Sequence, residues 1–470
     1  MADKDVSTEI AGLPYWDLTF DADGDADPKQ ADAFSTGILD RGITDVIVFS
    51  HGWGATPQDS HRLYQGFFGL LAGQLQDLPA DQHKVVGLAG VVWPARLWPD
   101  QPIPDFPSQP LAGDHGGAAS VAERGPVSPA TSDPTLDAAT LTSLQELFPA
   151  AAGPLATMAS LLEKPPTQEA QAEFFQQMKK FSHLAGPGGD DGERGPAGTA
   201  GSQVPGMLQG DDPAALFTLY RDKLMETGAP VSGGAGIGTA GLGDALHGLW
   251  DGAKEALRQL TYYQMKHRAG IVGQNGLGKL IGKVHLAAPA VRVHLVGHSF
   301  GARLVSFALA GLPADLSPSP VKAVTLLEGA FSHFAFAVPL PFDAGRNGAL
   351  GGMLARIDGP LTVCFSTHDS AVGTMYPLAS IASHEDAAAA QNPLYRWGAM
   401  GADGAQGVGA TLVSIRPAGP GTSYPFATGQ ALNIDSSEIV RAGGPPAGAH
   451  SDIVHPELSW IVLKAGGIVP

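Results

Sequence analysis

Apolar residues follow two different spacings along this chain. In several places they form short runs rich in Val, Ile and Leu, which is typical of strands buried on both faces. Elsewhere they recur every three or four residues, which predicts amphipathic helices. The two patterns alternate, and this indicates an α/β fold with a mostly parallel sheet flanked by helices. The predicted strands are 45–49, 85–93, 291–296, 321–327, 361–365 and 410–415, and the predicted flanking helices are 62–74, 244–264, 302–310 and 456–465.

The middle of the chain has a different character. Pro and Gly are dense there, and helical patches alternate with segments that have no period. A capping acid followed by proline, Asp212-Pro213, is a typical helix start. The helical patches are 134–148, 155–162 and 168–184.

Two glycine-rich stretches lie among these patches. Glycine falls at every third position of 186–201, and 231–243 is rich in glycine again, so we expect both to be flexible linkers. We therefore expect 99–243 to be a mainly helical, Gly-rich cap or lid. It would be inserted into a discontinuous core formed by 1–98 and 244–470.

Composition narrows the classes of partner. Hydrophobic residues make up 44% of the chain, enough for a sizeable core, and the formal net charge is −18. That charge argues against binding to nucleic acid or to anionic lipid headgroups, which attract clustered Lys and Arg. The lone cysteine, Cys364, excludes an internal disulfide and is expected to be a small buried strand residue.

The beginning of the chain bears on its location. The segment MADKDVSTEI is polar and acidic, whereas a signal peptide needs a basic start and an apolar run. No apolar stretch reaches the length of a membrane span, so we expect no transmembrane segment. The expected location is the cytoplasm, with export by a signal-less route left open.

The sequence Gly297-His298-Ser299-Phe300-Gly301 joins a predicted strand to a predicted helix. A serine on such a sharp turn projects its hydroxyl clear of the sheet, and small residues two positions away on either side let the backbone segments approach closely. Ser299 is therefore the candidate nucleophile.

A second informative turn follows the strand 45–49. There Ser50-His51-Gly52-Trp53-Gly54 would expose a backbone amide at the end of the strand. Acyl transfer needs two fixed N–H donors for the developing oxyanion, and the amides of Trp53 and Phe300 are the candidates. His51 itself is expected to be structural.

An acid and a base complete the set of candidates. Asp369 follows the strand 361–365, with Glu328 and Asp358 as alternative acids. His450 lies in a Gly- and Pro-rich loop before the final helix and is the candidate base, with His455 as its alternative.

The order of oxyanion turn, serine, aspartate and histidine, each after a strand, resembles the α/β-hydrolase family of serine esterases and lipases. The resemblance covers about residues 43–98 and 261–466. It implies Ser299 as nucleophile, His450 as general acid–base and Asp369 as its orienting partner. Members that use an aspartate nucleophile are disfavoured because serine occupies this turn.

The resemblance implies a carboxylic-ester hydrolase that works through an acyl-enzyme, without a cofactor or metal, on a small-molecule or lipid ester with an apolar acyl group. Aromatic loops, including 331–342, are expected to line the acyl pocket. One alternative is a lipase or phospholipase effector exported by a signal-less route. The other, from a different class, is a non-catalytic binding protein on a degenerate hydrolase fold.

Overall fold

A computed structural model of the chain describes residues 9–79, 84–95, 135–185, 206–208, 210–226, 242–375, 398–444 and 447–470. The described residues divide into two compact units, one within 1–97 and 262–470 and the other within 98–186 and 206–261. The predicted linker 186–201 and most of the predicted linker 231–243 lie outside the described residues.

The first unit is built on a nine-stranded sheet with the order β1-β2-β4-β3-β5-β6-β7-β9-β8. All neighbouring strands are parallel except β1 and β2, which are antiparallel. The predicted α/β class with a mostly parallel sheet is therefore confirmed. The strands are β1 Glu9–Ile10, β2 Leu13–Thr19, β3 Asp45–Ser50, β4 Val86–Val92, β5 Arg292–His298, β6 Val321–Leu327, β7 Leu361–Phe365, β8 Thr411–Ser414 and β9 Ala431–Asp435.

The helices follow the predicted pattern closely where an apolar face was evident. Their bounds are α1 Pro28–Asp40, α2 Pro57–Gln76, α3 Ala138–Leu147, α4 Ala152–Leu162, α5 Gln168–Leu184, α6 Pro213–Glu226, α7 Leu242–Ile271, α8 Gly278–Ala287, α9 Phe300–Gly311, α10 Met400–Asp403 and α11 Pro456–Ala465. A π-helical segment, Val272–Leu277, joins α7 to α8.

The central strands are buried along their whole length. Every residue of β3 and of β4 is buried, as expected for parallel strands covered by helices on both faces. Helix α2 begins with a capping box in which Thr56 and Asp59 bond to each other's backbone amides, and it packs the Phe67 ring 5.0 Å from the Phe49 ring of β3. This packing holds the carboxyl end of β3, where the turn 50–54 begins; this turn carries the predicted oxyanion donor Trp53 and is called the oxyanion turn below.

The second unit contains α3 to α6 and the first part of α7. The Phe174 ring lies 5.7 Å from the Phe217 ring and 5.6 Å from the Trp250 ring, and Trp250 Nε1–H donates to the Lys164 carbonyl at 2.6 Å. Because Trp250 belongs to this cluster, residues 244–261 group with the second unit. The sequence had instead placed the end of the insertion at 243.

The far edge of the sheet also differs from the prediction. The segment 410–415 was predicted as the last strand of the sheet, and it is the exposed edge strand β8. The strand β9, which the sequence did not predict, lies between β7 and β8. Its Asn433 is buried because the side-chain amide exchanges two hydrogen bonds with the backbone of Ala405, at 2.9 and 3.0 Å.

The aromatic segment 331–342 forms neither helix nor strand, as predicted, and Phe331, Phe334 and Phe336 are buried in it. Cys364 is buried in β7, also as predicted. In the ranges that the structure describes, no helix has both the length and the apolar composition required to span a bilayer.

Candidate active site

Ser299 is the single residue between β5 and α9. Its backbone has φ 56° and ψ −122°, a left-handed conformation that non-glycine residues avoid and that costs about 1–3 kcal/mol. Neighbouring backbone holds it in place: the Ser299 amide donates to the Leu327 carbonyl at 3.1 Å, and its carbonyl accepts from the Ala330 amide at 3.2 Å. Strain of this kind is typical of functional sites, where it projects a reactive side chain from the sheet.

A chain of two hydrogen bonds runs from this hydroxyl. Ser299 Oγ lies 2.8 Å from His450 Nε2, and His450 Nδ1 lies 2.6 Å from Asp369 Oδ2. A carboxylate can only accept hydrogen bonds, so His450 Nδ1 is protonated and its N–H donates a hydrogen bond to Asp369. His450 Nε2 is then unprotonated and accepts from the serine hydroxyl. All three side chains are buried, with exposed fractions of 5%, 7% and 2% for Ser299, His450 and Asp369. This arrangement can move a proton away from the serine oxygen.

The loops that carry the acid and the base are bonded to each other. The Ala449 amide donates to the His368 carbonyl at 2.9 Å, and the Ser370 amide donates to the Ala447 carbonyl at 3.1 Å. Asp369 Oδ1 also accepts from the Val372 amide at 3.1 Å. Because backbone bonds flank both side chains, the contact between His450 and Asp369 is set by the loops. His368 is exposed in its loop.

His298 supports the base from inside the motif. Its Nε2 lies 2.8 Å from the backbone carbonyl oxygen of His450, to which it donates, and the two imidazole centroids are 4.9 Å apart. Burial, followed by the neighbouring His450, holds the pKa of His298 well below its usual range. The ring is therefore neutral and fixes the His450 backbone through one N–H. The sequence did not suggest this role because the bond joins residues 152 positions apart.

The turn after β3 lies directly against the serine. A Cβ added to Gly52 would come within 2.7 Å of Ser299 Cβ and 3.2 Å of Ser299 Oγ, so only glycine permits this approach. The next amide, that of Trp53, makes no backbone hydrogen bond to another described residue. Phe300 is the first residue of α9, and the first amides of a helix have no partner within it. The two predicted oxyanion donors therefore follow Gly52 and Ser299, which lie against each other. Their backbone N–H groups can still donate to a substrate oxygen.

Three aromatic rings lie together beside this turn. The Tyr262 ring is 4.6 Å from the Phe300 ring and 5.4 Å from the Trp53 ring, and the Trp53 and Phe300 rings are 6.1 Å apart. We call these three residues the aromatic cluster. Tyr262 was not predicted as a site residue, because in the sequence it is one more position of an amphipathic helix.

His51 has the structural role expected for it. Its ring stacks on the Trp93 ring with centroids 5.7 Å apart, and its Nδ1 lies 2.8 Å from the Gly52 carbonyl, to which it donates. Burial lowers the pKa of His51 to about 4, so the ring is neutral at physiological pH. It braces the oxyanion turn.

The alternative acids and base lie in other surroundings. Asp358 precedes β7 at the amino end of the sheet and forms an ion pair with Lys322. His455 occupies the N-cap position of α11, and its Nε2 lies 2.9 Å from Asp452 Oδ1 rather than near the serine hydroxyl. Glu328 follows β6 next to the site and is buried, but the imidazole that reaches Ser299 bonds to Asp369.

Within the described part of the chain, no group of three or more His, Cys, Asp or Glu side chains is arranged to hold a metal ion. Comparison with known proteins finds no matching family model, no matching curated protein and no matching solved structure.

Proposed function

We propose that this protein is a serine carboxylic-ester hydrolase of the α/β-hydrolase type that acts through an acyl-enzyme. One observation carries the proposal: the strained Ser299 is hydrogen-bonded to His450, and His450 is hydrogen-bonded to Asp369. A serine with such a base and such an orienting acid is an activated nucleophile. The chain order Ser, Asp, His and the strand-to-helix turn also support the family assignment.

In the first half of the proposed reaction, Ser299 Oγ attacks the acyl carbonyl carbon while its proton passes to His450 Nε2. The tetrahedral intermediate collapses when the imidazolium returns this proton to the alcohol oxygen, so the ester C–O bond breaks and the acyl group stays on Ser299. Asp369 stabilises the imidazolium and holds it in orientation.

In the second half, water attacks the acyl-enzyme carbonyl and gives a proton to His450. Collapse of this intermediate releases the carboxylic acid and returns the proton to Ser299 Oγ. The amides of Trp53 and Phe300 would donate to the oxyanion in both halves, and one such donor is worth about 10²–10³ in turnover.

The aromatic cluster supports an apolar acyl group. Its members Trp53 and Phe300 carry the proposed oxyanion donors on their backbones, so their rings adjoin the position where the acyl carbonyl would sit. The three rings meet at tilted or edge-on angles, and aromatic rings give a site a large apolar surface. The net charge of −18 disfavours acidic substrates and polyanions.

The test is hydrolysis of p-nitrophenyl esters graded by acyl chain length. Ser299→Ala should reduce turnover by about 10⁶, the loss found when a triad nucleophile is removed. Ser306→Ala is the matched control, because Ser306 is buried in α9 and its hydroxyl donates to the Ala302 carbonyl of its own helix at 2.7 Å. Wild-type turnover in Ser299→Ala would refute the nucleophile assignment.

A further inference from the structure

A second carboxyl group, that of Glu328, lies behind the acid of the site. Glu328 directly follows β6, as Asp369 follows β7 within a few residues, and these two strands are neighbours in the sheet. Its side chain is 1% exposed, and its backbone has φ 46°, a positive value that non-glycine residues disfavour and that Ser299 also has. Burying an acid and straining its backbone both reduce the stability of the fold, and positions with such strain cluster at functional sites.

The contacts of this carboxyl are asymmetric. Glu328 Oε2 accepts a hydrogen bond from the Ser366 amide at 3.1 Å. Glu328 Oε1 is buried and accepts from no donor among the residues described. Asp369 belongs to the same turn as Ser366, because its amide donates to the Ser366 carbonyl at 3.2 Å, and its side chain is likewise buried, with 2% exposed. The two carboxyl groups therefore adjoin and interact through charge and hydrogen bonding. Glu328 Oε1, which has no donor, therefore belongs to a carboxyl group that lies next to the carboxyl group of Asp369.

Two buried carboxylates this close cannot both be ionised, because their repulsion is not screened by water. Asp369 is the better site for the charge, since it accepts from His450 Nδ1–H and from the Val372 amide. Glu328 accepts only one amide, so the proton is best held on its other oxygen. Burial, and after it the charge and hydrogen bond of Asp369, raises the pKa of Glu328 well above its usual range.

We infer that Glu328 is a protonated positioning residue, whose carboxylic acid donates a hydrogen bond to the Asp369 carboxylate and thereby orients the acid that orients His450. The inference rests on the proposed function, for which it supplies a further supporting group. Asp369 then has a third donor besides His450 and Val372. The site also carries one negative charge behind the imidazole, which limits how strongly the imidazolium is stabilised at rest.

Other titratable groups near the pair act in the same direction or are neutral. Asp452 adds a negative charge that further favours the protonated form of Glu328, and it is itself partnered by His455. Burial raises the pKa of the Cys364 thiol, so the thiol is uncharged. His298, on the other side of His450, is neutral.

The first test is the pH dependence of Ser299 labelling by a fluorophosphonate, which needs no knowledge of the natural substrate. In Glu328→Gln an amide replaces a neutral acid, so the acid limb of the rate profile should stay within about 0.3 pH unit of wild type, because the charge near the base is unchanged. If Glu328 is ionised in the wild type, the variant removes a charge, and the limb should fall by about 1 pH unit or more. That shift would overturn the inference.

Glu328→Leu removes the donor altogether. The plateau labelling rate should fall about tenfold to a hundredfold, as expected for loss of a hydrogen bond to a charged group. A plateau within about twofold of wild type would show that Glu328 positions nothing. Asp45→Asn is the matched control, because Asp45 is equally buried at the amino end of β3, where its partners are His294 and Arg292.

The second test does not depend on activity. A buried protonated carboxyl gives a C=O stretching band in the infrared that is separate from carboxylate bands and shifts in D₂O. At neutral pH this band should be present in wild type and in Asp45→Asn and absent in Glu328→Gln. A band that survives in Glu328→Gln, or is absent from wild type, refutes the inference. A wild type that shows the band but is not labelled at Ser299 would instead refute the proposed function.

Discussion

Gly301→Ala is the substitution whose effect the structure constrains most tightly. Gly301 is the second residue of α9 and lies against the end of β3. A Cβ at this position would lie 2.0 Å from the Ser50 carbonyl oxygen and 2.5 Å from the His51 carbonyl oxygen. These are backbone atoms, so no side-chain rotation can relieve the contact.

The size of the disturbance follows from these distances. Real Cβ atoms essentially never come within 3.0 Å of a non-bonded heavy atom. The new Cβ and the Ser50 carbonyl oxygen must therefore move apart by about 1 Å. Ser50 pairs with Gly297 across β3 and β5, so the sheet resists separation of the two segments. A shift of about 1 Å between nucleophile and oxyanion turn costs on the order of 10²-fold in rate. The overpacking should also reduce the free energy of unfolding by about 1–3 kcal/mol.

The assay is the rate of fluorophosphonate labelling together with chemical denaturation. Gly69→Ala is the matched control, because Gly69 lies inside α2 and an added Cβ meets nothing within 4 Å. It should keep the wild-type labelling rate and gain about 0.5–1 kcal/mol, the helix preference of Ala over Gly. Wild-type rate and stability in Gly301→Ala would refute the close approach of the serine turn to β3.

Two further predictions concern the acids and bases. Asp369→Asn should lower ester turnover by about 10⁴, because an amide favours the wrong imidazole tautomer. His455→Ala should keep a turnover close to wild type, since His455 bonds to Asp452. Equal losses of turnover in the two variants would contradict the assignment. Because the pKa of Glu328 is raised, the folded protein keeps a proton that the unfolded chain loses above about pH 4.5. The free energy of unfolding of the wild type should therefore fall as pH rises above that value, by up to about 1.4 kcal/mol per pH unit. Glu328→Gln has no such proton, so this part of the pH dependence should be absent. Between about pH 5 and pH 8, denaturation should show the stability of the variant rising relative to that of the wild type. The same pH dependence in both proteins would contradict the prediction.

The parts of the fold that the sequence predicted are those where side-chain spacing alone determines the element. The strands β3, β6 and β7 are runs of aliphatic residues buried on both faces, and the observed bounds agree with the predicted ones to within a residue. Ser299, Asp369 and His450, whose side chains the structure brings together, were predicted as site residues for a related reason. Each follows or precedes such an element, and the carboxyl ends of parallel strands share one edge of the sheet.

The parts that were missed depend on contacts between distant residues. The strand β2 contains Pro14 and alternates buried with half-exposed positions, and helix α1 buries only Phe34 and Ile38, so neither has a strong apolar pattern. The strand β9 carries Asn433, whose burial depends on a loop 28 positions away. The imidazole of His298 and the carboxyl of Glu328 likewise acquire their roles only from long-range partners.

The most direct test of the central claim is to treat the protein with a fluorophosphonate and locate the adduct by peptide mass spectrometry. We predict one adduct per chain, on Ser299, with labelling strongly reduced in His450→Ala. No adduct on the native protein, or an adduct whose rate does not depend on His450, would contradict the proposal that this serine is an activated nucleophile.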